Sequence, residues 1–183
     1  MKLYLIRHGK TFASEQHLYC GSSDIPLSEN GIKELQQKHY NVPKDAQFVT
    51  SGMLRTNQTL HYLFGDVKYA VETDLREIDF GIFELKSYEQ LKDDGQYQQW
   101  LSGDNFENVP PKGESGAQMT KRVVTAIEKL LKTNTDTVVI AHGGVIAAVM
   151  AHLFPQENKN IYQWQPKQGC GYLVEAGRYT YIE

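Results

Sequence analysis

The chain has 183 residues, enough for one domain with a real core and too few for two ordinary ones. Its net charge of -3 exerts no overall pull toward nucleic acid or an anionic bilayer, so any cationic site has to be local. Two cysteines, Cys20 and Cys170, are too few for a disulfide scaffold and lack metal-ligand spacing, and no apolar run is long enough to span a bilayer. The expectation is one reduced, cytoplasmic domain over residues 1–183, without nucleic-acid or membrane partners.

In chain order, Lys2 to Ile6 is a short apolar strand that stops at Arg7-His8-Gly9. Ser28 is placed to cap a helix carrying Ile32 and Leu35. A second strand, Ala46 to Ser51, leads through Gly52 into a helix marked by Leu54, Leu60, Leu63 and Phe64 and closed by Gly65. After a third apolar run, a turn holds Leu75-Arg76-Glu77-Ile78-Asp79-Phe80-Gly81. From Phe80 to Lys112 the periodicity weakens, while Phe80, Phe83, Tyr88, Tyr97, Trp100 and Phe106 accumulate. This excursion reads either as a lid or binding wall or as a small subdomain whose aromatics pack on one another. Met119, Val123, Ala126, Ile127, Leu130 and Leu131 then share one face of a long helix opening near Ser115. Thr137 to Ala141 is almost wholly apolar, as a strand buried on both faces should be, and a helix from Val145 to about Leu153 stops before Pro155. Gly171 to Glu183 predicts two short strands around Ala176-Gly177 at a sheet edge. The alternation predicts an α/β fold: a three-layer, mostly parallel twisted sheet with helices on both faces and a lid-like insertion at about 80–112.

Open α/β sheets bind ligands at the carboxyl ends of their strands. The first strand ends in Arg7-His8-Gly9, the second leads to Arg55 in the next helix's first turn, and the late strand ends in His142-Gly143-Gly144. A structural role explains any one of these residues alone. Together they bring two guanidiniums, two imidazoles and helix N-termini to one sheet edge, which predicts an anion site with phosphate as the natural anion. Cleaving a phosphate ester also needs a proton donor, for which Glu77 is the candidate and Asp79 and Glu84 are competitors.

Three other classes compete with this reading. Gly9-Lys10-Thr11 imitates the end of an ATP-binding loop, but Tyr4 stands where that motif needs glycine, and the partner strand leads to His142 rather than an aspartate. His8, His142 and Glu77 form a two-histidine, one-carboxylate set suited to a metal, although nearby arginines would repel it. A non-catalytic phosphate-binding module would need neither a nucleophilic His8 nor an acidic Glu77.

Arg7-His8-Gly9-Lys10-Thr11, Leu54 to Thr59, Leu75-Arg76-Glu77 with Phe80-Gly81, Gly113-Glu114-Ser115 and Ala141-His142-Gly143-Gly144 together resemble the histidine phosphatase, or phosphoglycerate mutase-like, superfamily, in order from Lys2 to about Leu153. The resemblance implies a metal-independent phosphomonoesterase. His8 would take the phosphoryl group, Arg7, Arg55 and His142 would grip its oxygens, and Glu77 would protonate the leaving group and then activate water. Ser14, Cys20 and Gly21 would complete the substrate contacts, and no metal or organic cofactor is implied. Ser14 stands where the family often has Asn, and Lys10 where it usually has Glu or Gln. Mutases of the superfamily hold a substrate carboxylate with an arginine pair in the region occupied here by Asp104 to Asn108. A phosphatase of small-molecule esters is therefore expected ahead of a phosphoglycerate mutase or a broad-specificity sugar phosphatase, with an acidic wall repelling phosphoglycerate.

Leu18-Tyr19-Cys20-Gly21 before Asp24-Ile25-Pro26-Leu27, Asp79 to Glu84, and Gln168-Gly169-Cys170 are similar to the α-ribazole phosphatase branch of cobalamin biosynthesis. An aromatic wall could then stack on the substrate's flat base. Leu85 stands where many relatives have Gly, and His17, His39, His61 and His152 are expected at surface or packing positions.

Overall fold

The computed structural model describes residues 1–183. Its elements are β1 (Lys2–Arg7), α1 (Phe12–Glu15), α2 (Glu29–Leu35), β2 (Gln47–Thr50), α3 (Leu54–Phe64), β3 (Ala70–Val71) and α4 (Tyr88–Leu91). They continue with α5 (Gly95–Leu101), α6 (Gly116–Lys132), β4 (Thr137–Ala141), α7 (Gly143–Leu153), β5 (Gly171–Glu175) and β6 (Arg178–Ile182). The strands form one sheet in the order β3-β2-β4-β1-β5-β6. The four strands from β3 to β1 are parallel, and β5 and β6 add an antiparallel edge.

Alternation along the central strands builds the core. Leu3, Leu5, Val139 and Ala141 face α6 and α7, while Tyr4, Ile6, Val138 and Ile140 pack on the other face with Leu60 of α3. Each large aliphatic side chain so buried contributes roughly 1.5–3 kcal/mol. The apolar stripe of α6 is seated as its periodicity predicts, with Met119, Val123, Ala126 and Ile127 buried. Ser115 and Gln118 close a capping box at its start, a feature contributing about 1 kcal/mol.

Some boundaries shift. The last main helix starts at Gly143 rather than Val145, because His142 takes the extended N-cap conformation and the glycines form the first turn. The third apolar run yields only the two-residue, exposed edge strand β3. Trp164 is buried in the main core against Phe154, Tyr172 and Tyr179. The excursion beyond Phe80 folds into a short turn, α4 and α5 around its own small core of Phe83, Leu91 and Tyr97. No helix is long and apolar enough to cross a membrane.

The sheet's register carries the functional consequence. Arg7 lies opposite Ala141, and Thr50 opposite Ile140, so His8, Ser51 and His142 leave three adjacent parallel strands at the same edge.

Candidate active site

His8 follows β1 directly, its backbone N–H donating to Ala141 O at 2.9 Å. Its Nδ1 lies 2.7 Å from the carbonyl oxygen of Gly9. A carbonyl only accepts, so Nδ1 carries the proton and Nε2 keeps its lone pair. Burial, then the charges of Arg55 and Arg7, hold the His8 pKa well below the ordinary imidazole value. The ring is therefore neutral, and nucleophilic at Nε2, at neutral pH. Thr59 of α3 fixes the turn by accepting the Gly9 N–H at 3.0 Å.

His142, fully buried at the N-cap of α7, places its ring edge-on to His8 with centroids 5.2 Å apart. Its Nε2 lies 2.8 Å from the Ser51 hydroxyl, which also contacts Thr56 Oγ1 at 3.1 Å. Burial, followed by Arg55 and His8, depresses its pKa well below the usual range.

The arginines are anchored by their tips. Arg55 donates from Nη1 to Ser23 O at 2.8 Å and from Nη2 to Gly21 O at 2.7 Å. Arg7 Nη1 donates to Pro166 O at 2.8 Å. The Nε atoms of both, and Nδ1 of His142, are buried without a hydrogen-bond partner in the protein. Such groups suit an anion with several acceptor oxygens.

Glu77 approaches from the far side. Its Oε2 accepts the Gly144 N–H of α7 at 3.0 Å and its Oε1 accepts the Ile78 N–H at 3.0 Å. A Cβ at 144 would stand 2.6 Å from Glu77 Oε1, so glycine there lets the carboxylate keep this position. The competing acids are committed to loop structure. Glu84 accepts the backbone N–H groups of Gly21, Ser22, Ser23 and Phe80, while Asp79 accepts Gly81 N–H and the Ser22 hydroxyl. Behind Glu77, Arg122 of α6 grips its carbonyl oxygen and pairs with Glu114.

Arg7, His8, Arg55 and Glu77 line two clefts between them, which share Arg7, Glu77, Tyr19, Leu18 and Cys20, with His142 buried behind. The first, of about 330 Å³, adds His8, Arg55, Thr11, Ser14, Gln168 and the exposed His17 and Tyr88. The second, of about 390 Å³, is walled by Ile78, Phe80, Trp100, Phe106, Met119 and Tyr162, and its only charged lining residues are Arg7 and Glu77.

The structure thus brings Arg7, His8, Arg55, Glu77 and His142 together and sets Ser14 and Cys20 on the wall. Ser14 already serves the α1 cap, accepting Thr11 N–H and donating to Thr11 O. Burial raises the Cys20 thiol's pKa, which keeps it protonated. Gly21 is not brought to the wall: its carbonyl holds Arg55 and its N–H binds Glu84. Lys10 pairs with Glu34 at the surface. The expected acidic wall is replaced by Asn105 and Phe106, with Asp104 and Glu107 exposed outside the cleft. Leu85 lies outside both clefts, in a left-handed conformation at φ 58°. No three His, Cys, Asp or Glu side chains converge as a metal site requires.

Fold and site together define an α/β protein built to handle phosphoryl groups. The profile of the histidine phosphatase superfamily (branch 1) matches residues 3–181, and the chain belongs to that superfamily, whose enzymes work through phosphohistidine chemistry. It is 28% identical over 185 residues to the adenosylcobalamin/alpha-ribazole phosphatase of Salmonella typhimurium, covering 96% of this chain and 90% of that one. Among solved structures, the alpha-ribazole phosphatase of Shigella flexneri matches with a TM-score of 0.83 at 25% identity, over 99% of this chain and 94% of that one. A phosphoglycerate mutase of Thermus thermophilus matches with a TM-score of 0.79 at 27% identity, over 100% and 99%.

Proposed function

We propose that the protein hydrolyses phosphate monoesters through phospho-His8 and that its substrate is α-ribazole 5′-phosphate, a compound of cobalamin biosynthesis. Nε2 of His8 attacks phosphorus in line as the ester P–O bond breaks, and Glu77 gives its proton to the departing alkoxide. Glu77, now a carboxylate, takes a proton from water as the water oxygen displaces His8 from phosphorus. Inorganic phosphate leaves, and both residues return to their starting states. Arg7, Arg55 and His142 hold the non-bridging oxygens, where each well-placed donor contributes about 2.7–4 kcal/mol of transition-state stabilisation.

One observation favours this substrate: the second cleft adjoins the phosphate cleft along the Arg7–Glu77 border and is apolar and aromatic beyond it. A flat, uncharged heteroaromatic leaving group matches that lining, whereas a three-carbon acid finds no cation for its carboxylate beyond Arg7, which serves the phosphoryl group. The relatives named for α-ribazole hydrolysis agree with this choice.

Side-by-side kinetics with α-ribazole 5′-phosphate and 3-phosphoglycerate test the substrate, with the former expected to have the higher kcat/KM. The reverse order would reject it. Brief exposure to substrate is expected to leave an acid-labile phosphoryl label on the wild-type protein and none on His8→Ala. Full turnover by His8→Ala would reject the mechanism.

A further inference from the structure

His17 lies just past the end of α1, at a backbone φ of 54°. The Leu18 N–H donates to Ala13 O at 2.9 Å across it, the reach of a helix-ending turn whose left-handed position ordinarily favours glycine. A histidine there bears a conformational cost that glycine would avoid, and strain of this kind is a pointer toward a functional demand. His61 and His152 pair with Asp66 and Glu128, whereas His17 stands exposed on the wall of the phosphate cleft.

Part of the donor capacity nearby is already engaged, the Nε atoms of Arg7 and Arg55 being left for the anion. Ser14 serves the α1 cap, the terminal nitrogens of Arg55 hold Gly21 and Ser23, and Nη1 of Arg7 holds Pro166. The α1 side of the cleft therefore offers a phosphoryl group few free donors from rigid side chains.

We propose that His17 is a substrate contact: its protonated imidazole binds peripheral oxygens of the phosphoryl group, so phosphoester affinity strengthens as His17 gains its proton. The inference rests on the phosphatase reading above and adds to it a titratable ligand separate from the nucleophile. The titratable and charged groups sharing this wall are Arg7, His8, Arg55, Glu77, Tyr19, Cys20 and Tyr88, with Glu15 on α1 itself bound by the Ser28 hydroxyl. A bound phosphate dianion favours the charged form of an imidazole beside it. Imidazoles ordinarily change charge between about pH 5 and 8. Since burial and the arginines move His8 well below its usual range, a pH dependence within that range is not that of His8.

The test measures kcat and KM for p-nitrophenyl phosphate, and Ki for inorganic phosphate, from acidic to mildly alkaline pH in wild type, His17→Gln and His17→Gly. Taking the ratio of wild type to variant at each pH cancels the titration of the phosphate ligand itself, which is the same for both proteins. Wild type is expected to bind phosphate about tenfold more tightly than His17→Gln at the acidic end, converging at the alkaline end, with kcat little changed. Phosphate should also raise the pKa of the His17 ring followed by NMR, by linkage, while a His61→Gln control leaves both readouts unaltered. His17→Gly is expected to show the same acidic loss of affinity together with a higher Tm, an opposition that a purely structural role would not produce. A ratio independent of pH, or an unmoved His17 titration, would overturn the proposal. Were the wild-type protein neither to bind phosphate nor to turn over the ester, the phosphatase reading itself would fall, and this inference with it.

Discussion

Nη2 of Arg122 donates to the carbonyl oxygen of Glu77 at 3.1 Å, joining α6 to the segment that carries the proposed acid. Its Nη1 donates to the carbonyls of Asp74 at 2.8 Å and Arg76 at 2.6 Å, and Nε and Nη2 bind the Glu114 carboxylate. The guanidinium fork thus holds three backbone carbonyls between Asp74 and Glu77, a task a lysine's point charge does not perform. Arg122→Lys is expected to lower kcat about 10²-fold for alkyl phosphates by misplacing Glu77, with far less loss for aryl phosphates. Arg122→Ala should also cost about 2–4 kcal/mol of stability in urea denaturation, since it strands a partly buried carboxylate and three carbonyls. An unchanged leaving-group dependence in Arg122→Lys would show that Arg122 does not position the acid.

Glu77→Gln retains the shape and the Gly144 contact but cannot supply a proton. Hydrolysis of alkyl phosphates is expected to slow by about 10²-fold or more, against only a few-fold for p-nitrophenyl phosphate, whose leaving group needs little protonation. Equal slowing across a leaving-group series would assign the acid elsewhere.

The depressed pKa values of His8 and His142 make folding pH-dependent. Below about pH 6.5 the unfolded chain protonates both imidazoles while the folded one keeps them neutral, so the unfolded state binds more protons. Stability is therefore expected to be level above that pH and to fall as pH drops, by up to about 1.4 kcal/mol per unit for each histidine, until the folded-state pKa values are reached. Urea denaturation in phosphate-free buffer at pH 7 and pH 5 measures this, and His8→Asn should remove its share of the slope. Identical stability at the two pH values would contradict burial of both rings in neutral form.

Leu85, at φ 58°, donates its N–H to Tyr19 O at 2.7 Å and is 38% exposed. Relief of the left-handed strain, about 1–2 kcal/mol, exceeds the extra entropy of an unfolded glycine, about 0.5–1 kcal/mol. Leu85→Gly is therefore expected to be more stable by about 0.5 kcal/mol with kcat/KM unchanged, whereas Leu85→Ala gains nothing. Thermal denaturation of both variants separates strain relief from the loss of the side chain.

The strand ends were readable in the sequence because β1 and β4 are nearly continuous apolar runs, and polar residues that interrupt such runs have to emerge at the sheet edge. His8, His142 and Arg7 could be grouped on that ground, and Arg55 by its place in the first turn of the helix that follows the second strand. Arg122 could not, since its carbonyl partners lie 45 to 48 residues away and carbonyls leave no mark on a sequence. Nor could His17, whose neighbours across the cleft come from β1, α3 and the segment before β5. The aromatic excursion builds a small core of its own and also supplies one wall of a cleft. Phe83 and Tyr97 pack inward on one another, while Phe80, Trp100 and Phe106 face the second cleft. Composition supplies the rings without saying which way each one turns.

β1 is the first strand in the chain, yet its two neighbours in the sheet are β4 and β5. Lys2 meets Asp136 across a separation of 134 residues. The strand that ends in Arg7 and leads to His8 is therefore flanked only by strands that follow it far along this chain. The proposed phosphoryl site closes only when β4 is in place beside β1, and a chain lacking β4 would hold His8 without His142. The same long-range closure places this fold among the slower-forming topologies for its size.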